Sequence, residues 1–213
     1  MDGSGGSKGV EFKGTGGKGT LMLNMVEIEG FEKGVEASKG MVTMMGGSIT
    51  IKENGGKGYG LNMQGEANAT LMRTKIVGDR SGTGTGVVMG STGTLMMNMV
   101  DISNVGVSGK YGVQMTGEGT MVMTSVDISG FEKGVSVEKG KLVMNGGSKI
   151  TVTSGGTGLE VKGGASATMM GAVIKGTDGK GTGYGVKMMG EGKVEMVEVG
   201  ISGVKWGICG VGR

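Results

Sequence analysis

The sequence contains no histidine and no proline, only one cysteine, and few aromatic residues: one Trp, three Tyr and three Phe among 213 residues. Without histidine it has no Ser-His-Asp or Cys-His nucleophile relay, no histidine-ligated zinc and no imidazole acid or base. One cysteine excludes a disulfide framework, a thiolate zinc site and an iron–sulfur cluster within one chain. We therefore expect a protein that is not an enzyme and that holds neither a metal ion nor another cofactor.

Long apolar runs and strong charge are also absent. The formal net charge of +3 comes from scattered lysines, which does not indicate a nucleic-acid partner. The N-terminus has no basic segment followed by an apolar stretch, and no run of 18 apolar residues occurs, so we expect no secretory signal and no membrane insertion by this segment. The end of the chain, Gly207–Arg213, stops in the middle of a repeat, and we expect the parent protein to continue beyond it.

Glycine is abundant, with 52 residues, and it marks an internal repeat. Tyr111–Gly119 returns in similar form at Tyr184–Gly192, and Gly30–Val35 returns unchanged at Gly130–Val135. Both belong to one register of modules that are 22 to 27 residues long. The modules begin at Gly9, Gly34, Gly60, Gly86, Gly112, Gly134, Gly158 and Gly185, with a truncated ninth at Gly207. Modules five to eight resemble modules one to four, which indicates duplication of a four-module block.

Each module carries a period-two pattern directly after its leading glycine. The next residue is aliphatic in all nine cases, and the residue two positions further on is apolar in all eight complete modules, as in Val113 and Met115. This alternation is typical of a strand with one buried face. A second strand follows at stretches such as Thr94–Met97, and a third at stretches such as Val100–Ile102.

Three short strands in each glycine-started module predict an all-β, single-domain, right-handed parallel β-helix of about eight coils, in which stacking closes the core. Residues 1–213 would form one β-helical fragment. Met63, Met89 and Met115 are predicted to stack as an internal ladder. An antiparallel sandwich or barrel is the competing fold. It is disfavoured because it does not require the same inward residue in register nine times.

Two sets of residues are candidates for function. Asp101 and Asp127 occupy equivalent outward places in adjacent modules, and they form the hypothetical acid pair of a polysaccharide-active enzyme. A solvated row of acids is the favoured interpretation. Four aromatic residues each come immediately before a leading glycine, where they either contact a partner or fill a corner of the coil. These are Tyr59, Tyr111, Tyr184 and Trp206.

The run Gly119–Val135 and its earlier copy ending at Val35 resemble the passenger domains of bacterial autotransporters, and they are most similar to the glycine-rich passengers of Bartonella. The resemblance is one of repeat style over residues 9–208, and no functional residue is carried over. It implies export through the periplasm and through an outer-membrane barrel that is not present in this chain. It also implies work outside the cell or at the bacterial surface.

Members of this family act as adhesins or as host-cell factors, some of them proangiogenic. The resemblance therefore favours a secreted or surface-displayed virulence factor whose partner is a host-cell surface protein or glycan. Two alternatives stay open. One is an extracellular polysaccharide-active β-helix enzyme that uses Asp101 and Asp127, and the other is a stalk that binds nothing.

Overall fold

The structure is a computed structural model that describes residues 8–14, 16, 18–52, 58–78, 84–104, 109–177 and 183–211. These residues form β-strands and no α-helix. The first four coils contain β1 (Lys8–Lys13), β2 (Thr20–Asn24), β3 (Glu27–Phe31), β4 (Lys33–Lys39), β5 (Met41–Met45), β6 (Ser48–Ile51), β7 (Tyr59–Met63), β8 (Asn68–Met72), β9 (Lys75–Gly78), β10 (Thr85–Met89), β11 (Thr94–Asn98) and β12 (Asp101–Asn104). The later coils contain β13 (Gly109–Met115), β14 (Thr120–Thr124), β15 (Asp127–Val137), β16 (Lys141–Asn145), β17 (Lys149–Lys162), β18 (Ser166–Met170), β19 (Val173–Gly176), β20 (Tyr184–Met189), β21 (Lys193–Val197), β22 (Gly200–Ser202) and β23 (Trp206–Val211).

Equivalent strands of successive coils stack in three columns. The first column begins with β1, β4 and β7, the second with β2, β5 and β8, and the third with β3, β6 and β9. Strands β15 and β17 each run without a break from the third column of one coil into the first column of the next. Every strand pairing among the described residues is parallel, so the predicted single-domain, all-β parallel β-helix is confirmed and the antiparallel alternative is wrong.

The interior consists of the inward residues that the period-two pattern predicts. Val113 pairs in register with Val87 on one side and Val135 on the other, and all three are fully buried. The methionine ladder is confirmed, because Met89 pairs with Met63 and with Met115 and none of the three side chains is exposed. At the last described coil, which has a neighbour on one side only, the equivalent residue Ile208 is 63% exposed.

Isoleucine occupies the central inward place of the third column in each of the eight described coils, and the leading glycine of the same coil lies against it. A Cβ atom on any of these glycines would lie 2.1 to 2.6 Å from the isoleucine Cγ2. None of the eight has a positive φ. The glycines are therefore needed for close approach of the backbone rather than for left-handed geometry. The isoleucines are Ile28, Ile49, Ile76, Ile102, Ile128, Ile150, Ile174 and Ile201.

The corner between the second and third columns is left-handed in every described coil. One residue there has φ between 52° and 68°, and its N–H commonly donates to a carbonyl of the next coil, as Met99 N does to Thr124 O at 3.0 Å. The eight residues are Met25, Gly46, Arg73, Met99, Ser125, Gly146, Gly171 and Glu198. Five of them are not glycine, although a left-handed conformation costs such residues about 1–2 kcal/mol each. Stacking of the coils must supply that energy.

Candidate functional site

The four aromatic residues named above lie in one outward column on the first-column strands, and they are called the aromatic column below. Tyr59 and Tyr111 both pair with Thr85, so they are two coils apart, about 9.6 Å at the usual strand spacing. Tyr184 and Trp206 pair directly. Trp206 is 51% exposed, and the three tyrosines are half-buried. The register thus places the predicted partner-contact residues on one face, in two groups separated by Lys133 and Thr157.

A lysine ammonium lies over each aromatic ring. Lys33 lies 5.6 Å from the centre of the Tyr59 ring, Lys187 lies 5.0 Å from Tyr184, and Lys205 lies 5.7 Å from Trp206. Both Lys110 and Lys133 lie 5.5 Å from the centre of the Tyr111 ring. Contacts of this kind are worth about 0.5–1 kcal/mol at exposed sites. They hold positive charge beside apolar ring surface along the whole face.

At the N-terminal end of this face, Tyr59 belongs to a polar cluster. Its hydroxyl donates to Oε2 of Glu36, and Nζ of Lys8 donates to Oε1 of the same carboxylate at 2.8 Å. Partial burial of the phenol and its bond to the ionised carboxylate raise the pKa of Tyr59 to about 12. Hydrogen bonds from Lys8 and Tyr59 lower the pKa of Glu36. Tyr59 is therefore a neutral hydrogen-bond donor at neutral pH, with its ring fixed by the cluster.

Further along the face, Glu160 is an outward residue of β17 that is nevertheless buried. Nζ of Lys133 donates to both carboxylate oxygens at 3.0 and 2.8 Å, and Nζ of Lys162 lies 3.2 Å from Oε2. The Ser136 hydroxyl also donates to Oε2 at 3.2 Å. Burial of the carboxyl opposes its ionisation, but the bonds from Lys133 and Lys162 outweigh burial and lower the pKa of Glu160. This network joins successive coils and fixes Lys133 beside the Tyr111 ring.

Asp101 and Asp127 lie in a different outward column, on β12 and β15, where they pair in register. The same column places Lys75 next to Asp101 and Lys149 next to Asp127. Nζ of Lys149 lies 3.9 Å from Oδ2 of Asp127. Within the described part of the chain, no three His, Cys, Asp or Glu residues converge on a possible metal position. The acid pair is thus bracketed by cations in its own column.

The aromatic residues were recognised in the sequence because each precedes a leading glycine, but their lysine partners were missed. Lys110, Lys187 and Lys205 lie within three residues of the rings they cover, whereas Lys33 and Lys133 lie more than 20 residues away and reach the rings by coil stacking. The sequence gives no sign that Glu160 is buried, because its place directly after the inward Leu159 marks it only as an outward residue. The proximity of Lys133 and Glu160 could have been inferred by aligning their two modules, because β15 and β17 pair in the register that the leading glycines set.

No helix in the described ranges is long and apolar enough to cross a membrane. Comparison with protein families, with curated proteins and with solved structures found no match for this chain.

Proposed function

We propose that this chain is a non-enzymatic autotransporter passenger, secreted or displayed at the bacterial surface, that binds a host-cell surface protein or glycan. It would act there as an adhesin or as another host-cell-acting virulence factor. Its parallel β-solenoid fold and the repeat style of Gly119–Val135 support this proposal. Solenoids present long, stiff surfaces suited to contact with large partners.

The observation that carries the proposal is the aromatic column with a lysine on every ring. Aromatic side chains contribute strongly to interfaces because they bury large area and lose little conformational entropy. Ring edges can pack against apolar or sugar C–H groups, and the ammonium groups can contact acidic groups of the same partner. A stalk without a partner would not need this combination on a single face.

Binding of the purified protein to cultured host cells tests the proposal. The double variant Tyr111→Ala and Tyr184→Ala removes one ring from each group of the aromatic column. We expect it to lose at least about tenfold in cell affinity, because interface aromatics commonly contribute 2 kcal/mol or more.

The matched control is the double variant Met96→Ala and Met170→Ala. Both methionines are outward residues of second-column strands, 51% and 50% exposed, and they lie away from the aromatic column. We expect the control to bind as the unaltered protein does. Absence of cell binding by the unaltered protein, or equal loss in both double variants, would reject the aromatic column as the binding face.

A further inference from the structure

A groove of about 540 Å³ lies on the corner between the second and third columns, in the first three coils. Met25, Met45 and Met72 line it, Arg73 and Asn24 border it, and the Gly46–Gly47 pair belongs to the same lining. It is called the methionine groove below. The volume of the groove lies within the usual range for small-molecule sites. Its lining is also typical of such sites, because it is mainly apolar with a few polar groups.

The groove follows from the left-handed corner. Met25, Gly46 and Arg73 are consecutive members of the left-handed corner residues, so the middle coil lacks a side chain where its two neighbours have long ones. A Cβ atom on Gly46 would lie 2.5 Å from Sδ of Met25, so a larger residue there would displace the Met25 side chain from its present position. Met45 and Met72 are register partners at the ends of β5 and β8.

The backbone of this corner is fixed by bonds between coils. Met25 N donates to Met45 O at 2.9 Å, and Gly46 N donates to Met72 O at 2.8 Å. The hydroxyl of buried Thr74 also donates to Met72 O at 3.3 Å. The backbone beneath the groove is thus fixed, and these two N–H groups already have acceptors. A bound peptide backbone would therefore find no free hydrogen-bond donor in these two N–H groups, whereas a bound alkyl chain needs no donor.

The side chains are apolar but open to solvent. Met25 is 76% exposed, Met45 42% and Met72 37%. Methionine side chains are flexible and polarisable, and they adapt to apolar ligands. Arg73 makes no ion pair with an acid of the described residues, so its guanidinium is available to an anion.

The second four-coil block shows that the fold does not demand these residues. Gly146 and Gly147 repeat the Gly46–Gly47 corner with φ of 60° and 74°, against 68° and 75°. In that block Ser125, Asn145 and Gly171 stand where the first block has Met25, Met45 and Arg73. Met170 repeats Met72, so the features particular to the first block are Met25, Met45 and the guanidinium of Arg73.

We propose that the methionine groove binds a single-chain aliphatic carboxylate, such as a medium-chain fatty acid. The alkyl chain lies against Met25, Met45 and Met72, and the carboxylate accepts hydrogen bonds from the guanidinium of Arg73. Arginine and carboxylate form paired, charge-assisted bonds, which fixes the direction of the chain in the groove. This site is independent of the aromatic column.

Octanoate is the probe, and octyl glucoside is the neutral comparison with the same alkyl chain. Calorimetry gives the affinities for the full chain, and NMR of ¹³C-labelled methionine methyl groups locates the ligand. We expect octanoate to shift the methyl signals of Met25, Met45 and Met72. Arg73→Gln should weaken octanoate about tenfold, because it removes the charge-assisted hydrogen bonds to the carboxylate. It should leave octyl glucoside unchanged.

Met72→Ser should weaken both ligands, whereas Met170→Ser, at the equivalent position of the second block, should weaken neither. Lys75→Gln controls for general loss of positive charge near the corner and should leave octanoate binding intact. The proposal fails if octanoate does not bind, if Arg73→Gln and Lys75→Gln have equal effects, or if the shifted methyl signals belong to methionines outside the groove.

Discussion

Gly112 and Ile128 meet across the interior of one coil so closely that a Cβ atom on Gly112 would lie 2.3 Å from Cγ2 of Ile128 and 2.7 Å from the carbonyl oxygen of Gly134. The carbonyl belongs to the next coil and cannot move without disturbing the strand pairing. The leading glycine thus sets how tightly the first and third columns approach each other. The same relationship recurs in all eight described coils.

Gly112→Ala should therefore destabilise the protein by about 1–3 kcal/mol, the usual cost of adding a methyl group to a packed interior. Gly164→Ala is the matched control, because a Cβ atom there meets nothing within 4 Å and the residue has no positive φ. Urea unfolding followed by circular dichroism measures both. Equal stability of the two variants would show that the corner has more space than the structure gives it.

The left-handed corners predict a stabilising substitution. Met99 has φ of 52° and is 46% exposed, so Met99→Gly relieves backbone strain with little loss of packing. The gain should be up to about 1 kcal/mol after the larger entropy of the unfolded glycine is subtracted. Met96→Gly, three residues earlier within β11, should instead destabilise, because its backbone is extended. A loss of similar size in both variants in urea unfolding would contradict the strain argument.

The inward register is tested by one pair of adjacent residues. Val113→Asp buries an unpaired carboxylate in the stacked interior and should destabilise strongly or prevent folding. Gln114→Asp changes an outward residue and should alter the melting temperature little. Thermal unfolding of both variants measures the two melting temperatures. An equal decrease in both would show that the assigned inward register is wrong.

Glu160 predicts a pH dependence of stability. The pKa of Glu160 is lower in the folded protein than in the unfolded chain, where the pKa of a Glu is about 4.3. Its contribution is therefore complete above about pH 4.3 and is lost as the pH falls through the folded pKa.

The unfolding free energy of the unaltered protein should exceed that of Glu160→Gln by a constant amount between pH 7 and 5, and the difference should shrink below about pH 4.3. Glu118→Gln, which removes a mostly exposed acid 3.9 Å from Lys139, should show little difference at any pH. A Glu160→Gln difference that is flat down to pH 3 would mean that the ion pairs with Lys133 and Lys162 add no stability.

The inward columns were predictable because a strand with one buried face has an apolar residue at every second position. Val113 and Met115 follow this pattern, and the other modules have apolar residues at the equivalent positions. The glycine-to-isoleucine contact was only half predicted. The sequence shows the period of the leading glycines, but the reason for glycine, which is close approach and not positive φ, depends on Ile128 and its equivalents, about 16 residues further along the chain.

The methionine groove was not predicted, because the left-handed residues around it share no residue type and carry no common turn signal. Met72 is outward by the same alternation that buries Leu71, whereas Met25 continues the inward phase of Leu21 and Leu23 until the left-handed corner turns it outward. Asn145-Gly146 is a common turn dipeptide at this place in the coil, but it lies in the second block and not at the groove.

Because the inward residues are nearly the same in every coil, evolution can add or remove whole coils and so change the spacing of residues on the outer surface. A duplication or deletion of one whole coil leaves the interior with equivalent neighbours, since valine or leucine, methionine and isoleucine meet similar residues above and below. On the outside the same event moves Tyr111 relative to Tyr59 by one strand spacing, about 4.8 Å. Distances between surface groups therefore come in discrete steps, and selection can adjust them without redesigning the core.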